Sequence, residues 1–342
     1  MRLSIGSPTP PRSFRLDVRD EKILALLAND ARIPFSRLGK KVGLSKDAVR
    51  YRVRRYEEEG VIKAYLGLVD LSKFGYMTYH LLLQLNKPLE KEEKEVIDKI
   101  KEFPFVRAVL KFSGRYDLQV ALVARNLAEL ERHSTLVQET CAQFLEREEP
   151  LLITSSLMNR AYPGNLFDLK ESTFSATSRQ QPCDETDQRL LRRIANDGRA
   201  TLSALGSAVG LSADAVAYRL KALGQAGYLT RFVAAINYEA IGSQLYLIMF
   251  DTRGLSDADT LVVKELLRQQ PRIVWCVKAL GRFNLLLYLL TDTPGDVHRV
   301  VETMRSHFPQ RIREHEALLA YEEYKYTYLP DGLAIGPERS QP

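Results

Sequence analysis

The 342-residue chain is predicted to be an α+β protein built from two tandem copies of one unit. Each unit is a winged-type helix-turn-helix domain followed by a ferredoxin-like βαββαβ domain. Three observations predict this. Residues 16–64 hold short apolar stretches at helical spacing, broken by glycine. The next hundred residues alternate between strand-like and helical spacing in the order β-α-β-β-α-β. Both patterns then return at one offset. Asp20 and Asp187, Gly43-Leu44-Ser45 and Gly210-Leu211-Ser212, Tyr51-Arg52 and Tyr218-Arg219, and Gly114 and Gly281 all stand 167 residues apart. An offset that persists from helices into strands marks a tandem duplication. The expected boundaries are a loose tail at 1–15, a helix-turn-helix domain at 16–64, a sheet domain at 65–162 and a polar linker at 163–183. A second helix-turn-helix at 184–230, a second sheet domain at 231–330 and a tail at 331–342 follow.

In chain order, Asp17 caps a helix that runs to about Asn29, with Ile23, Leu24 and Leu27 on its apolar side. Leu38 and Val42 give a second helix its apolar side, and Gly43 ends it. Ser45 caps a third, with Asp47 in the first turn where the helix dipole favours negative charge. On that third helix Val49, Val53 and Tyr56 share one side, while Lys46, Arg50 and Arg54 share another. A cationic row held out on a helix suits the DNA major groove, where phosphates attract cations and arginine forks pair with guanine edges. Tyr51 and Arg55 flank the row as further candidates, with packing in place of DNA contact the alternative for Tyr51, since Tyr218 is kept in the weaker copy. Val61–Val69 reads as a strand leading out.

Strands are expected at 76–85, 106–112, 118–123 and 151–158, with helices at 90–101 and 127–144. The second copy repeats them as strands at 245–251, 273–279, 285–291 and 316–328 and helices at 257–269 and 294–307.

Hydrophobic residues make up 45% and charged residues 27%, an ordinary globular balance. The net charge of +6 and a pI of about 9.1 permit nucleic-acid binding without requiring it. Cys141, Cys183 and Cys276 are far apart with no CxxC pair, so no zinc site or disulfide framework is expected, which fits a cytoplasmic setting. No apolar run has the length of a membrane span, and the proline-bearing start does not read as a secretory signal.

The Val42-Gly43-Leu44-Ser45 turn with Val49, Arg52 and Gly60, followed by Gly114-Arg115-Tyr116-Asp117 in the sheet domain, resembles the Lrp/AsnC (feast/famine) family of transcription regulators, here in a tandem-duplicated form. The resemblance implies double-stranded DNA as a partner. It implies no cofactor and no catalytic residues. It also implies a small-molecule effector, such as an amino acid, bound between sheet domains at Gly114, Tyr116 and Asp117. A carboxylate there would pair with an ammonium group. In copy two the turn reads Gly281-Arg282-Phe283-Asn284, and the amide weakens that pairing. One polypeptide would supply what two chains supply in single-copy members.

The copies differ in charge. Lys46, Arg50 and Arg55 become Ala213, Ala217 and Ala222, and Arg54 becomes Lys221. Residues 36–63 carry nine cations against four anions, net +5, while 203–230 carry two against one, net +1. Copy one is therefore expected to dominate DNA affinity, and a homo-oligomer joined through the sheet domains would present two strong heads.

Sirohaem decarboxylases resemble the same family, with histidine and arginine acting in the sheet domain. Residues 274–286 here lack a histidine. His80, His133, His298, His307 and His315 form no ligand pair, so no metal site is expected, and they read as surface residues. No Walker loop, GxGxxG or GxSxG occurs. A ligand-binding protein with relic DNA-binding domains is the remaining alternative.

Overall fold

Each helix-turn-helix unit opens with three helices and a strand. In the first copy these are α1 (Val18–Asn29), α2 (Phe35–Val42), α3 (Lys46–Glu58) and β1 (Ile62–Val69). The sheet part follows as β2 (Met77–Leu85), α4 (Glu90–Glu102), β3 (Val106–Ser113), β4 (Leu118–Ala124), α5 (Leu127–Cys141) and β5 (Leu145–Asn159). The second copy holds α6 (Glu185–Asn196), α7 (Leu202–Val209), α8 (Ala213–Gln225), β6 (Leu229–Ile236), β7 (Gln244–Thr252), α9 (Asp257–Gln269), β8 (Ile273–Leu280), β9 (Leu285–Thr291), α10 (Pro294–His307) and β10 (Ile312–Tyr326). These ranges repeat at the 167-residue offset with one residue of difference, at the end of α10. The computed structural model describes residues 14–86, 88–163 and 182–336, so the expected tail at 1–15 and the linker lie almost entirely outside the described residues.

The two βαββαβ halves are not separate sandwiches. Their strands close into one eight-stranded barrel in the order β10-β3-β4-β2-β5-β8-β9-β7. Closure rests on two 15-residue strands. The first part of β5 pairs with β2 of its own half, and the rest, from Leu152 to Asn159, pairs with β8. β10 does the same with β7 and then β3. A βαββαβ sheet alone would leave two unpaired edges, and here each half covers the other's. Both long strands start earlier than alternation predicts. Their first residues, such as Glu146, Arg147, Arg313 and Glu314, are polar and incompletely buried, so the pairing there is held by backbone bonds that leave no apolar signal.

Side-chain alternation separates two faces of this barrel. Leu81 and Leu83 of β2 join Val96, Ile97 and Ile100 of α4 in an outer core, while Leu82 joins Leu110, Phe112, Leu247, Leu286 and Leu318 inside. Helices α9 and α10 cover the second half through Val263, Leu267, Val300 and Met304. With both faces buried, β4 and β9 are buried at every residue, which is why they read as continuous apolar runs.

The winged domains also exchange strands. β1 pairs antiparallel with β6, so one ribbon serves both. Ala234 and Ile236 complete the core of the first helix-turn-helix, and Arg32 donates to the carbonyls of Gly198 (3.1 Å) and Ala200 (2.8 Å) across the ribbon. Residues 327–336 after β10 are packed, so the described part of the expected tail is not loose. Leu329, Leu333 and Ile335 are buried, and the Ala334 carbonyl accepts from Tyr76 and Arg125, both at 2.9 Å.

Candidate nucleic-acid interface

Helix α3 is held from below. Val49, Val53 and Tyr56 are buried against Ile23, Leu24 and Leu27 of α1. Asp17 and Asp20 form a capping box on α1, and both carboxylates also accept from Arg52, with Asp17 at 2.8 Å. The buried Tyr56 hydroxyl donates to the same Asp20. In copy two Arg219 donates to Asp184 at 2.7 Å and Asp187 at 2.9 Å, while Leu223 stands in place of Tyr56. The repeated aspartate and arginine are thus partners in a clamp between the first and third helices. Arg52 belongs to that clamp and not to the exposed row.

The opposite side of α3 is open. Lys46, Arg50, Arg54 and Arg55 are all exposed. Arg50 lies 3.3 Å from Asp47, and Arg54 donates to Glu58 at 2.7 Å. Both pairs are solvent-exposed links along one helix, worth little and readily exchanged for phosphate. The Arg55 guanidinium lies over the ring of Phe14 at 4.4 Å. Tyr51 is 69% exposed and does not pack, and Tyr218 in copy two is 71% exposed. The same outer face of α8 offers Ala213, Ala217 and Ala222 with the exposed Lys221. A cleft of about 390 Å³ opens beside Tyr218, Ala222 and Leu223. In copy one Phe14 stands against Tyr56 and Arg55, the counterparts of Leu223 and Ala222.

The glycine turn of the sheet domain is an interlock. Gly114 has φ +144°, and a Cβ there would come within 2.6 Å of Leu318 on β10 of the other half. Gly281 has φ +143° and meets Leu151 and the Pro150 carbonyl of β5 in the same way. Tyr116 is fully buried, edge-on to Phe283 at 6.5 Å. The Asp117 carboxylate accepts from the Leu85 backbone at 2.7 Å, and burial raises its pKa. Asn284 accepts from the Thr252 amide at 3.0 Å and donates to its carbonyl at 2.9 Å, so the amide serves where the acid does. Around these turns Arg115 and Arg282 both pair with Glu314, at 3.4 and 2.8 Å.

Sequence reasoning missed a second constellation. His80 is not a surface residue; it is 1% exposed inside the barrel, beside Gln119, Tyr288 and Trp275. The alternation of β2 carries the signal, since His80 shares its face with Leu82. Among the described residues no cluster could hold a metal ion, and no helix is long and apolar enough to cross a membrane.

Fold and turn define a helix-turn-helix joined to a sheet domain, in duplicate. Two regions, 16–57 and 184–223, match the AsnC-type helix-turn-helix domain. One half of the chain is 38% identical over 117 residues to the HTH-type transcriptional regulator LrpA of Pyrococcus horikoshii, covering 34% of this chain and 80% of that protein. It is also 31% identical over 121 residues to the regulatory protein AsnC of Haemophilus influenzae, covering 35% and 79%. The chain belongs to the Lrp/AsnC helix-turn-helix family, in a tandem-duplicated form. Across its length it shares a fold with the siroheme decarboxylase NirDL, with a TM-score of 0.59, 15% identity, and coverage of 90% of this chain and 92% of that one.

Proposed function

We propose that the protein is a cytoplasmic, sequence-specific transcription regulator that reads double-stranded DNA through α3 and responds to a small molecule through its barrel. The observation that carries the reading is the exposed row Lys46, Arg50 and Arg54, with Tyr51 and Arg55 beside it, on a helix whose other side is buried and clamped. Phosphate neutralisation supplies most of the affinity, so α3 dominates over the alanine face of α8. The turns at Gly114, Tyr116 and Asp117 and at Gly281 lock one half to the other, and effector binding between the halves would act through them. A second chain would supply a second strong head. Because the barrel's strands are all paired within the chain, that association uses other surfaces than sheet edges.

The test is fluorescence anisotropy on short duplexes across a salt series, comparing wild type with Arg50→Ala/Arg54→Ala. Loss of two phosphate contacts should lower the slope of log affinity against log salt by about 2 and weaken binding at least ~10-fold. An unchanged slope would remove α3 as the reading element.

One observation favours a second reading, an enzyme acting on a tetrapyrrole. The first half places His80 against Trp275 at 5.7 Å, supplying a histidine to the region that lacks one in sequence. A shift in the absorption of an added iron porphyrin carboxylate, abolished by His80→Phe, would support that reading. An unshifted spectrum would end it.

A further inference from the structure

The two halves differ inside the barrel at one set of equivalent positions. His80 and Gln119 of the first half meet Trp275 and Tyr288 of the second, and Arg107 stands at the same end, bonded to Thr78 on the His80 face of β2. Their counterparts 167 residues away are Leu247, Val274, Leu286, Ala108 and Ala121. A duplicated barrel that needed only to be filled would be apolar at both places, as it is at the second.

The polar cluster has an excess of donors. Gln119 Nε2 donates to His80 Nδ1 and to the Tyr288 hydroxyl, both at 2.8 Å. With Nδ1 accepting, the neutral imidazole carries its proton on Nε2. The indole Nε1–H of Trp275 is buried without a hydrogen-bond partner among the described residues, a deficit that a ligand acceptor would repair. Arg107 is half-buried. Its guanidinium donates to Thr78 Oγ1 at 3.2 Å and the Thr327 carbonyl at 3.4 Å and lies near the Tyr328 ring. Among the described residues no carboxylate stands within ion-pair distance of it. Trp275 stacks on Tyr288 at 4.7 Å, and Tyr326, which donates to the Tyr328 hydroxyl, is 45% exposed.

We propose that this end of the barrel binds a small aryl carboxylate: its carboxylate would meet Arg107 and the Trp275 N–H, and its flat body would lie along Trp275 and Tyr288. Among the described residues the cluster holds no acid to receive an ammonium group, so the ligand is a simple organic acid and not an amino acid. The site adjoins the DNA-binding domains, because Tyr328 packs on Leu66, Leu68 and Val233 of the β1–β6 ribbon. The inference rests on the effector part of the reading above and is independent of which helix reads DNA.

The test uses the full-length chain without DNA. Trp275 is its single tryptophan, so its emission reports the site directly. Phenylacetate, phenylpyruvate and indole-3-acetate are titrated at constant ionic strength by fluorescence and calorimetry, beside neutral phenylacetamide and zwitterionic phenylalanine. At least one acid should saturate, with phenylacetamide and phenylalanine at least tenfold weaker than it. Arg107→Gln should weaken that acid at least tenfold. Trp275→Phe, followed by calorimetry, should also weaken it while leaving the melting temperature close to wild type, since the lost donor has no partner in the protein. No saturable signal with any acid, equal affinity for phenylalanine, or undiminished affinity in both variants would overturn the proposal. Failure of the anisotropy experiment would leave these outcomes standing.

Discussion

His80 carries a pH signature that a surface histidine would lack. Unfolded, it titrates near 6.5; in the barrel, burial and then the charge of Arg107 push it down to about 3. Between those values the unfolded chain binds the additional proton, so stability is full above about pH 6.5 and falls as pH drops toward 3. The slope is about 1.4 kcal/mol per pH unit. Urea unfolding at pH 6.5 and 4.5 should therefore show wild type losing roughly 2–3 kcal/mol more than His80→Gln. Identical pH dependence in the two proteins would mean that His80 titrates in the fold as it does in the unfolded chain. At the same scale, Asp20 and Arg52 show how a repeated residue becomes interpretable. Their recurrence at 187 and 219 was visible in the sequence, but only the 2.7–2.9 Å contacts of Arg219 and their counterparts at Arg52 identify a clamp. The cationic row was legible because exposed positions on a helix follow from spacing alone.

At the scale of elements, the glycine turns set a difference between two otherwise matched positions. Both glycines occupy backbone conformations that other residues rarely adopt, which costs of order 1–3 kcal/mol on substitution. The spaces differ. A Cβ at Gly114 meets the end of the Leu318 side chain, which can turn aside, whereas at Gly281 it also meets the Pro150 carbonyl at 2.7 Å. Gly281→Ala should thus destabilise more than Gly114→Ala, by about 1 kcal/mol or more, read as the shift in urea midpoint. Equal midpoints would show that the backbone of β5 gives way. The helices and the inner strands were legible from period and caps. The starts of β5 and β10 were not, because edge pairing through backbone bonds imposes no apolar alternation on residues such as Glu146 and Arg147.

For the whole molecule, strand exchange makes each half incomplete. The core of the first helix-turn-helix includes Ala234 and Ile236, and both barrel seams cross between halves. A chain divided between residues 163 and 182 should yield two fragments that co-purify as a one-to-one complex when expressed together. Either fragment alone should self-associate or aggregate through its unpaired edges. Two independently folded, monomeric fragments would contradict the barrel. The same closure redirects the expectation of assembly through the sheet domains, since the edges that would join two chains are already joined within one.

By itself the sequence determined the duplication, the helix-turn-helix with its basic row, the charge difference between copies and the order of strands and helices. Each of these follows from short-range periodicity or from one offset. Only the tertiary structure decided that the halves form one barrel, that the glycine turns interlock and that His80 meets Trp275 across 195 residues of chain. Contacts between distant strands depend on which edges remain unpaired after local folding, and no local pattern of residues encodes that choice.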